Sequence, residues 1–340
     1  MNVAIRAAAA LLLTTTLVSG CVSQQDRTAA PQAPSTVPLS DLTGLTLAVG
    51  DQKGGTESLL RAAHALDGAP YTVVFSTFTS GPPQIEAATA GKIDFAITGN
   101  TPPIFGAAAN AKVKVVSAYD GGGVGDQVLV RTESPIRSIA DLRGRSIAVG
   151  KGSSAHGHIL AQLKKAGLTV DDVKLVYLQP ADALSAFTKG EADAWAIWDP
   201  YTAQAARQLT VRSVGQAKDV TNGYWFGVAS DAALADPKRN TALADLLVRF
   251  EKAAKWAQDH PQEWAASYAQ AVGLDPEVAT VSQGRSLRLP TELDDTVVAS
   301  EQKIADLFAQ SGQIPSAPKF SDWVDRRYNE ALRPGLISTS

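Results

Sequence analysis

Short apolar runs alternate with amphipathic stretches over the first two-thirds of the chain. Residues 45–49, 71–76, 93–98 and 113–118 read as strands, and helices are predicted near 82–90 and 102–110. Val73-Val74-Phe75 and the run 113–116 carry little polar alternation, the pattern of strands covered on both faces. Alternating strands and helices predict βαβ units and an α/β class. The tail reads differently. Leu243, Leu246, Leu247, Phe250, Ala254 and Ala257 share one helical face, and 294–310 and 321–332 also read as helices, so the chain is expected to be helical from about Thr241.

The pattern repeats. Residues 41–50 and 141–150 agree at six of ten positions at an offset of 100 (DLTGLTLAVG against DLRGRSIAVG). The register persists: the stripe Leu59, Leu60, Ala63, Leu66 is answered by Ile159, Leu160, Leu163, Ala166, and Gly91-Lys92-Ile93-Asp94 by Gly190-Glu191-Ala192-Asp193 at an offset of 99. Each half reads strand, glycine-rich turn, helix. Two related α/β lobes with a cleft between them follow, the crossings near 128–131 and 225–228 serving as hinges.

The start of the chain stands outside that pattern. Arg6 precedes a short apolar run, 7–18, that ends in Val18-Ser19-Gly20-Cys21, the arrangement of a secretory signal that resembles a bacterial lipobox. Cleavage before Cys21 and lipidation of its thiol are implied. Residues 22–38, rich in Ser, Gln, Thr, Ala and Pro, read as a flexible tether. The protein's single cysteine forbids an internal disulfide, and 31 Lys+Arg against 34 Asp+Glu leave no basic footprint for nucleic acid.

Candidate chemistry centres on anions. Gly150-Lys151-Gly152-Ser153-Ser154 lacks the Walker spacing, and Gly152 to Gly157 is one residue too long for a nucleophile elbow. His156 and His158, two apart at a helix start, point in different directions and do not suit one metal. No constellation supports an enzyme, and no cofactor or metal is expected. A strand that turns sharply into a helix, by contrast, leaves backbone N–H groups outward and a dipole that favours an anion. That arrangement occurs twice, at Gln52-Lys53-Gly54-Gly55-Thr56 and at Gly152-Ser153-Ser154, and both helix starts are expected to aim at one anion across the cleft. Ser153 and Thr56 could equally cap their own helices. The loop Gly99-Asn100-Thr101 follows a strand in the same way, Asp199 reads as the cap of a helix opened by Pro200, and Trp198 and Trp225 are candidates to line the cleft.

These stretches together resemble the aliphatic-sulfonate-binding lipoproteins and periplasmic proteins of ABC importers, within the wider group that binds nitrate, taurine and thiamine precursors. The matching residues include Gly50-x-Gln52-Lys53-Gly54, Ser80-Gly81-Pro82, Thr98-Gly99-x-x-Pro102-Pro103, Lys151-Gly152-Ser153-Ser154-x-His156 and the run from Asp193 to Tyr201 (DAWAIWDPY). The resemblance spans about 45–230, and more faintly to about 330. It implies a two-lobed type II periplasmic-binding fold, each lobe a mainly parallel sheet flanked by helices. It also implies closure on the ligand, delivery to a permease and its ATPase, and a sulfonate surrounded by Gln52, the 98–101 loop and Ser153-Ser154. Two positions depart from the pattern: Asp51 stands where an aromatic residue is usual and Asn100 where an acidic one is.

The expected organisation is a signal peptide at 1–20, a tether at 21–39, lobe 1 at 40–130, lobe 2 at 131–224, a return crossing at 225–240, and C-terminal helices at 241–340 packing mainly on lobe 1. The expected function is that of an extracytoplasmic, lipid-anchored, monomeric solute-binding protein that captures a sulfonate. Nitrate, bicarbonate, taurine, a sulfate ester or a thiamine pyrimidine are the alternative ligands. The ligand set is Gln52, Lys53, Gly54, Gly99, Asn100, Thr101, Gly152, Ser153, Ser154, His156, Trp198, Asp199 and Trp225.

Overall fold

The computed structural model describes residues 36–336. The signal segment, Cys21 and most of the tether lie outside the described residues. The end of the tether is tied down, because the Val37 N–H donates to Thr241 Oγ1 at 3.0 Å.

The first half runs β1 (Thr46–Gln52), α1 (Gly55–Ala62), β2 (Thr72–Phe78), α2 (Gly81–Thr89), β3 (Phe95–Gly99), α3 (Thr101–Ala108) and β4 (Val113–Asp120). After a glycine-rich crossing come β5 (Gln127–Arg131), β6 (Ser146–Val149), α4 (Ser154–Lys165), β7 (Lys174–Tyr177), α5 (Pro180–Lys189), β8 (Ala194–Ile197), α6 (Tyr201–Gln208) and β9 (Val211–Gln216). The chain then returns through β10 (Tyr224–Ser230) and α7 (Asp231–Ala235). The helical tail follows: α8 (Pro237–Asp259), α9 (Pro261–Val272), α10 (Pro276–Arg285), the short β11 (Leu289–Thr291), α11 (Asp295–Gln310) and α12 (Asn329–Leu332).

Two sheets result, with strand orders β11-β4-β10-β3-β1-β2 and β7-β6-β8-β5-β9. In the first, β1 pairs parallel with β2 and β3, while β10 is antiparallel to both β3 and β4. In the second, β6 pairs parallel with β7 and β8, while β5 is antiparallel to both β8 and β9. Each sheet is therefore mainly parallel in direction, with one reversed strand inserted beside the last βαβ strand; β11 adds a second reversed strand at the edge of the first. Those inserted strands, β5 and β10, are the segments that arrive by the crossings.

The sequence repeat has a physical meaning here. Asp94 accepts from the Ala48 N–H, and Asp193 from the Ser146 N–H, each at 2.9 Å, so the same carboxylate ties the third strand of each half to the first. Leu42 and Leu142, one before each opening strand, are both fully buried.

Several details differ from expectation. The segments 128–131 and 225–228 lie within β5 and β10, each with a register irregularity, and are not the loops that cross between the sheets. The crossings are instead the loops 121–126 and 217–223, which run side by side, the Gly121 N–H donating to the Gly223 carbonyl at 3.1 Å. β5, read as the end of lobe 1, is hydrogen-bonded into the second sheet. The tail is interrupted by β11, where Pro290 can stand because the strand is an edge. The stretch 321–332 forms a 3₁₀ turn, Phe320–Trp323, and the one-turn α12, with Phe320 fully buried between them and the sheet.

α8 covers one face of the first sheet with Leu243, Leu246, Leu247 and Phe250 in a shared apolar core with Val49 and Phe95. α11 reaches both halves: Phe308 meets the rings of Phe105 from α3 and His156 from α4 at centroid distances of 5.1 and 5.0 Å. None of the described helices is long and apolar enough to cross a membrane.

Candidate functional site

Strands β1, β3, β6 and β8 end toward the junction of the halves, and the loops at those ends line two adjoining cavities. The first takes Gln52, Lys53, Gly55 and Thr56 from the first half, Trp198, Asp199 and Pro200 from the second, and Trp225, Tyr268, Gln283, Ser286 and Arg288 behind them. The second takes Gly99 and Asn100 from the first half, Ser154 from the second, and Asp126 and the glycines of the crossings, with Arg285. Trp225 and Ser286 line both, so the cavities share a wall. A site at the carboxyl ends of strands, between two α/β units, is where such folds bind ligands.

The charge of the first cavity comes from Arg288. Its guanidinium lies 5.2 Å over the Trp225 ring, and its polar partners are distant: Gln283 Oε1 at 3.5 Å and the Ser286 carbonyl at 3.3 Å. Burial lowers its pKa from the ordinary value, against the opposing pull of Tyr268 and Asp51, and no ion pair of Arg288 within 4 Å is found among the described residues. A buried cation with weak neutral partners is costly unless an anion joins it. Lys53 adds a second positive charge, its ammonium standing 5.8 Å over the Tyr201 ring of the second half.

Arg285 is spent differently. Its Nε and Nη2 donate to Asp199 Oδ2 and Oδ1 at 2.9 and 2.8 Å, a bidentate pair. Asp199 also accepts from the Ala203 N–H at 3.1 Å and from the Thr202 hydroxyl; it stands one residue before the cap position, which Pro200 takes instead of opening α6 as expected, and it binds the C-terminal helices to the second half. Burial raises its carboxyl from the usual range, against the opposing pull of Arg285.

The two helix starts are not equivalent. α1 begins after left-handed Lys53 and Gly54 (φ 55 and 74), and its Thr56 N–H donates at 2.8 Å to Asp51, which is fully buried. The carboxylate of Asp51 thus occupies the helix start that was expected to hold the anion. Burial raises it to about 6, and its Oδ2 has no partner. Gly54 packs toward Val272 and lines a surface groove, away from the cavities.

At α4 the donors are also used internally. The Gly152 N–H donates to His156 Nδ1 at 3.2 Å, and Ser153 donates through Oγ to the Gly150 carbonyl at 2.7 Å. Gly152 has φ 72, and a Cβ there would stand 3.2 Å from the Phe105 ring, so both backbone and packing require glycine. His156 is fully buried among Phe105, Tyr177 and Phe308, and burial pushes its pKa down to about 3, which keeps the ring neutral. Of this second turn only Ser154 lines a cavity. Thr101 is likewise buried, donating to Asn100 Oδ1 at 3.0 Å.

Gln52, Lys53, Gly99, Asn100, Ser154, Trp198, Asp199 and Trp225 therefore come together, whereas Thr101, Gly152, Ser153 and His156 are buried and line neither cavity, and Gly54 faces the separate surface groove. Arg285 and Arg288 are absent from the sequence-derived set. Their signal was faint: two arginines three apart in Gly284-Arg285-Ser286-Leu287-Arg288-Leu289, inside a stretch read as helix.

Two α/β units joined by paired crossings, with cavities at the strand ends between them, define a two-lobed binding protein of the periplasmic type. A family model described as NMT1/THI5 like matches residues 73–264, and the chain belongs to that family. A relative from Escherichia coli (strain K12), named for binding aliphatic sulfonates, is 34% identical over 273 residues, covering 79% of this chain and 85% of the relative. One from Bacillus subtilis (strain 168) with the same name is 32% identical over 256 residues, covering 74% and 75%. The alkanesulfonate-binding protein SsuA from Xanthomonas axonopodis pv. citri, solved bound to MOPS, superposes with a TM-score of 0.78 at 28% identity, covering 84% of this chain and 99% of that one.

Proposed function

We propose that this protein captures an aliphatic sulfonate between its two halves and delivers it to the permease of an ABC importer, working as an extracytoplasmic monomer held to the membrane by a lipid on Cys21. The observation that carries the reading is Arg288, a half-buried guanidinium with no ion pair within 4 Å among the described residues, facing a cavity walled by Trp225 and Trp198. A sulfonate is ionised at every physiological pH, so it must be met by a permanent charge and by donors on several sides. Arg288, Lys53 and Gln52 offer these, and hydrogen bonds to a charged group are worth roughly 1.5–3 kcal/mol each. The names of the relatives support the same ligand class.

Closure follows from the lining. Lys53 over Tyr201, and Asp199 on Arg285, join the halves only when they are close, so a ligand that adds contacts from both sides favours the closed arrangement. The permease is proposed to read that arrangement.

Because Trp198 and Trp225 line the cavity, tryptophan fluorescence reports binding directly. Titration with alkanesulfonates, sulfate esters and nitrate is expected to show tightest binding for a sulfonate. Nitrate or bicarbonate binding alone would replace the reading with that of another small-anion carrier. Mass spectrometry after incubation is expected to recover the sulfonate unaltered; turnover would make the protein an enzyme.

A further inference from the structure

Arg288 has an anion near it before any ligand arrives. Its Nη2 lies against the start of α1, where a Cβ added to Gly55 would stand 3.1 Å from it. The same turn carries the Thr56 N–H that donates to Asp51 Oδ1 at 2.8 Å. Gly55, Thr56 and Arg288 line the first cavity. The Asp51 carboxylate stands behind that wall, fully buried, its Oδ2 without a partner. The charges of Asp51 and Arg288 act on each other across the turn, each favouring the other's ionised form.

A sulfonate that takes Arg288 is thereby placed beside a second negative group that cannot swing away, because Asp51 belongs to a strand paired on both sides. The groups facing Asp51 do little to offset the added charge. Glu57 on α1 is another carboxylate, and Tyr268 on α9 has a phenol that burial raises and so keeps neutral. The paired strands bring Thr77 and Ala96, both uncharged. Farther round the cavity, Asp199 is paired with Arg285, and the Lys53 ammonium stands over the Tyr201 ring of the second half. One cation between two anions in a desolvated place is poorly balanced. A sulfonate stays ionised, so the group that can give up its charge is the carboxyl. Burial has already raised Asp51 to about 6, and a further anion beside it raises it more.

We infer that Asp51 is a positioning residue for anion capture: it holds the start of α1 and, through Arg288, couples sulfonate binding to the uptake of a proton from solvent, which returns to solvent on release. This inference rests on the assignment of the sulfonate to Arg288 and deepens it. The sign follows from linkage. Between the midpoints of Asp51 in the free and liganded protein, the liganded form binds more protons, so affinity rises as pH falls through that interval.

The probe is butanesulfonate, in solutions free of sulfonate buffers. Its affinity, read by tryptophan fluorescence, is expected to rise about fivefold or more from pH 8 to pH 5.5. An unbuffered pH-stat titration at pH 6.5 is expected to record uptake of about half a proton per ligand bound. Asp51→Asn keeps an acceptor for the Thr56 N–H and has no proton to take up, so both effects are expected to vanish in it. Burial also raises Asp126, in the adjoining cavity, to about 7, and in Asp126→Asn the proton uptake is expected to persist whatever the affinity. The Thr56 amide resonance follows Asp51 directly and needs no variant; its pH midpoint is expected to rise by about one unit or more when butanesulfonate saturates the protein. Level affinity without proton uptake overturns the inference and leaves the sulfonate reading intact. So does an unmoved Thr56 midpoint, or uptake that is lost in Asp126→Asn and kept in Asp51→Asn. Absence of binding at every pH overturns both.

Discussion

Gly99, at the end of β3, faces Ser154, at the start of α4: a Cβ added to Gly99 would stand 3.1 Å from Ser154 Cβ. The two halves meet there with no room for a side chain. Gly99→Val is therefore expected to hold the halves apart without disturbing either core. Ligand affinity should fall at least thirtyfold, and small-angle scattering in the presence of ligand should retain the larger radius of gyration of the unliganded protein. A valine variant that still closes would mean that Gly99 and Ser154 separate freely.

Arg288 gives a prediction with opposite signs for binding and stability. Removing a partly buried charge that makes no ion pair relieves a desolvation cost larger than the distant pull of Asp51, and apolar replacement of buried ionic groups is often neutral or stabilising by about 1–4 kcal/mol. Arg288→Met keeps the stem that packs among Leu59, Trp264 and Leu287 around the neighbouring cavity. The thermal midpoint of the unliganded protein is expected to stay level or rise, while sulfonate affinity falls at least a hundredfold. A large loss of stability would show Arg288 to be a structural ion instead.

The Asp199–Arg285 pair behaves in the reverse way. Asp199 is buried and satisfied by four donors, so taking away its charge leaves Arg285 without its counter-ion, while an amide oxygen can still accept from the Ala203 N–H. Asp199→Asn is expected to cost about 3 kcal/mol, the range for breaking a buried pair. A double-mutant cycle with Arg285→Met should return a coupling of more than 1 kcal/mol by chemical denaturation. A coupling near zero would mean that the Asp199–Arg285 ion pair contributes nothing to stability.

How much of this was legible beforehand depended on whether a residue acts locally. The repeat between 41–50 and 141–150 is a local pattern, and it led to two halves with matching first strands and matching Asp94 and Asp193 ties. Asp199 at the start of α6 was legible for the same reason, although Pro200 and not Asp199 takes the cap position. Asp51 was visible as an oddity beside the anion turn, yet only the fold shows that it folds back onto the Thr56 N–H and fills the helix start itself. His156 looked like a cleft residue because it follows the serines, whereas its ring turns inward to Phe308, a residue 152 positions away that no local pattern could place. Arg285 and Arg288 belong to the same class. They reach the site from the tail, and their partners, Asp199 and Trp225, are joined to them only by tertiary packing.

Glu301 supplies the pH prediction. It is fully buried on α11, its Oε2 accepts from Asn222 Nδ2 at 2.7 Å, and its Oε1 has no partner. Burial raises its carboxyl to about 8, so the folded protein holds this proton at neutral pH while the unfolded chain releases it near 4.5. The folded state thus binds more protons than the unfolded state between those values, and stability must fall as pH rises across that interval. The loss from this one group is expected to be a few kcal/mol, complete once the pH exceeds about 8. Glu301→Gln keeps the shape and the Asn222 bond but has no proton to lose. Its thermal midpoint should match that of the unmodified protein near pH 5 and exceed it at pH 8.5. The slope will be reduced and not abolished, because burial raises Glu251 to about 8 as well. Parallel midpoint curves for the two proteins from pH 5 to 8.5 would show that Glu301 is already ionised in the fold, and that Asn222 and its neighbours carry the charge unaided.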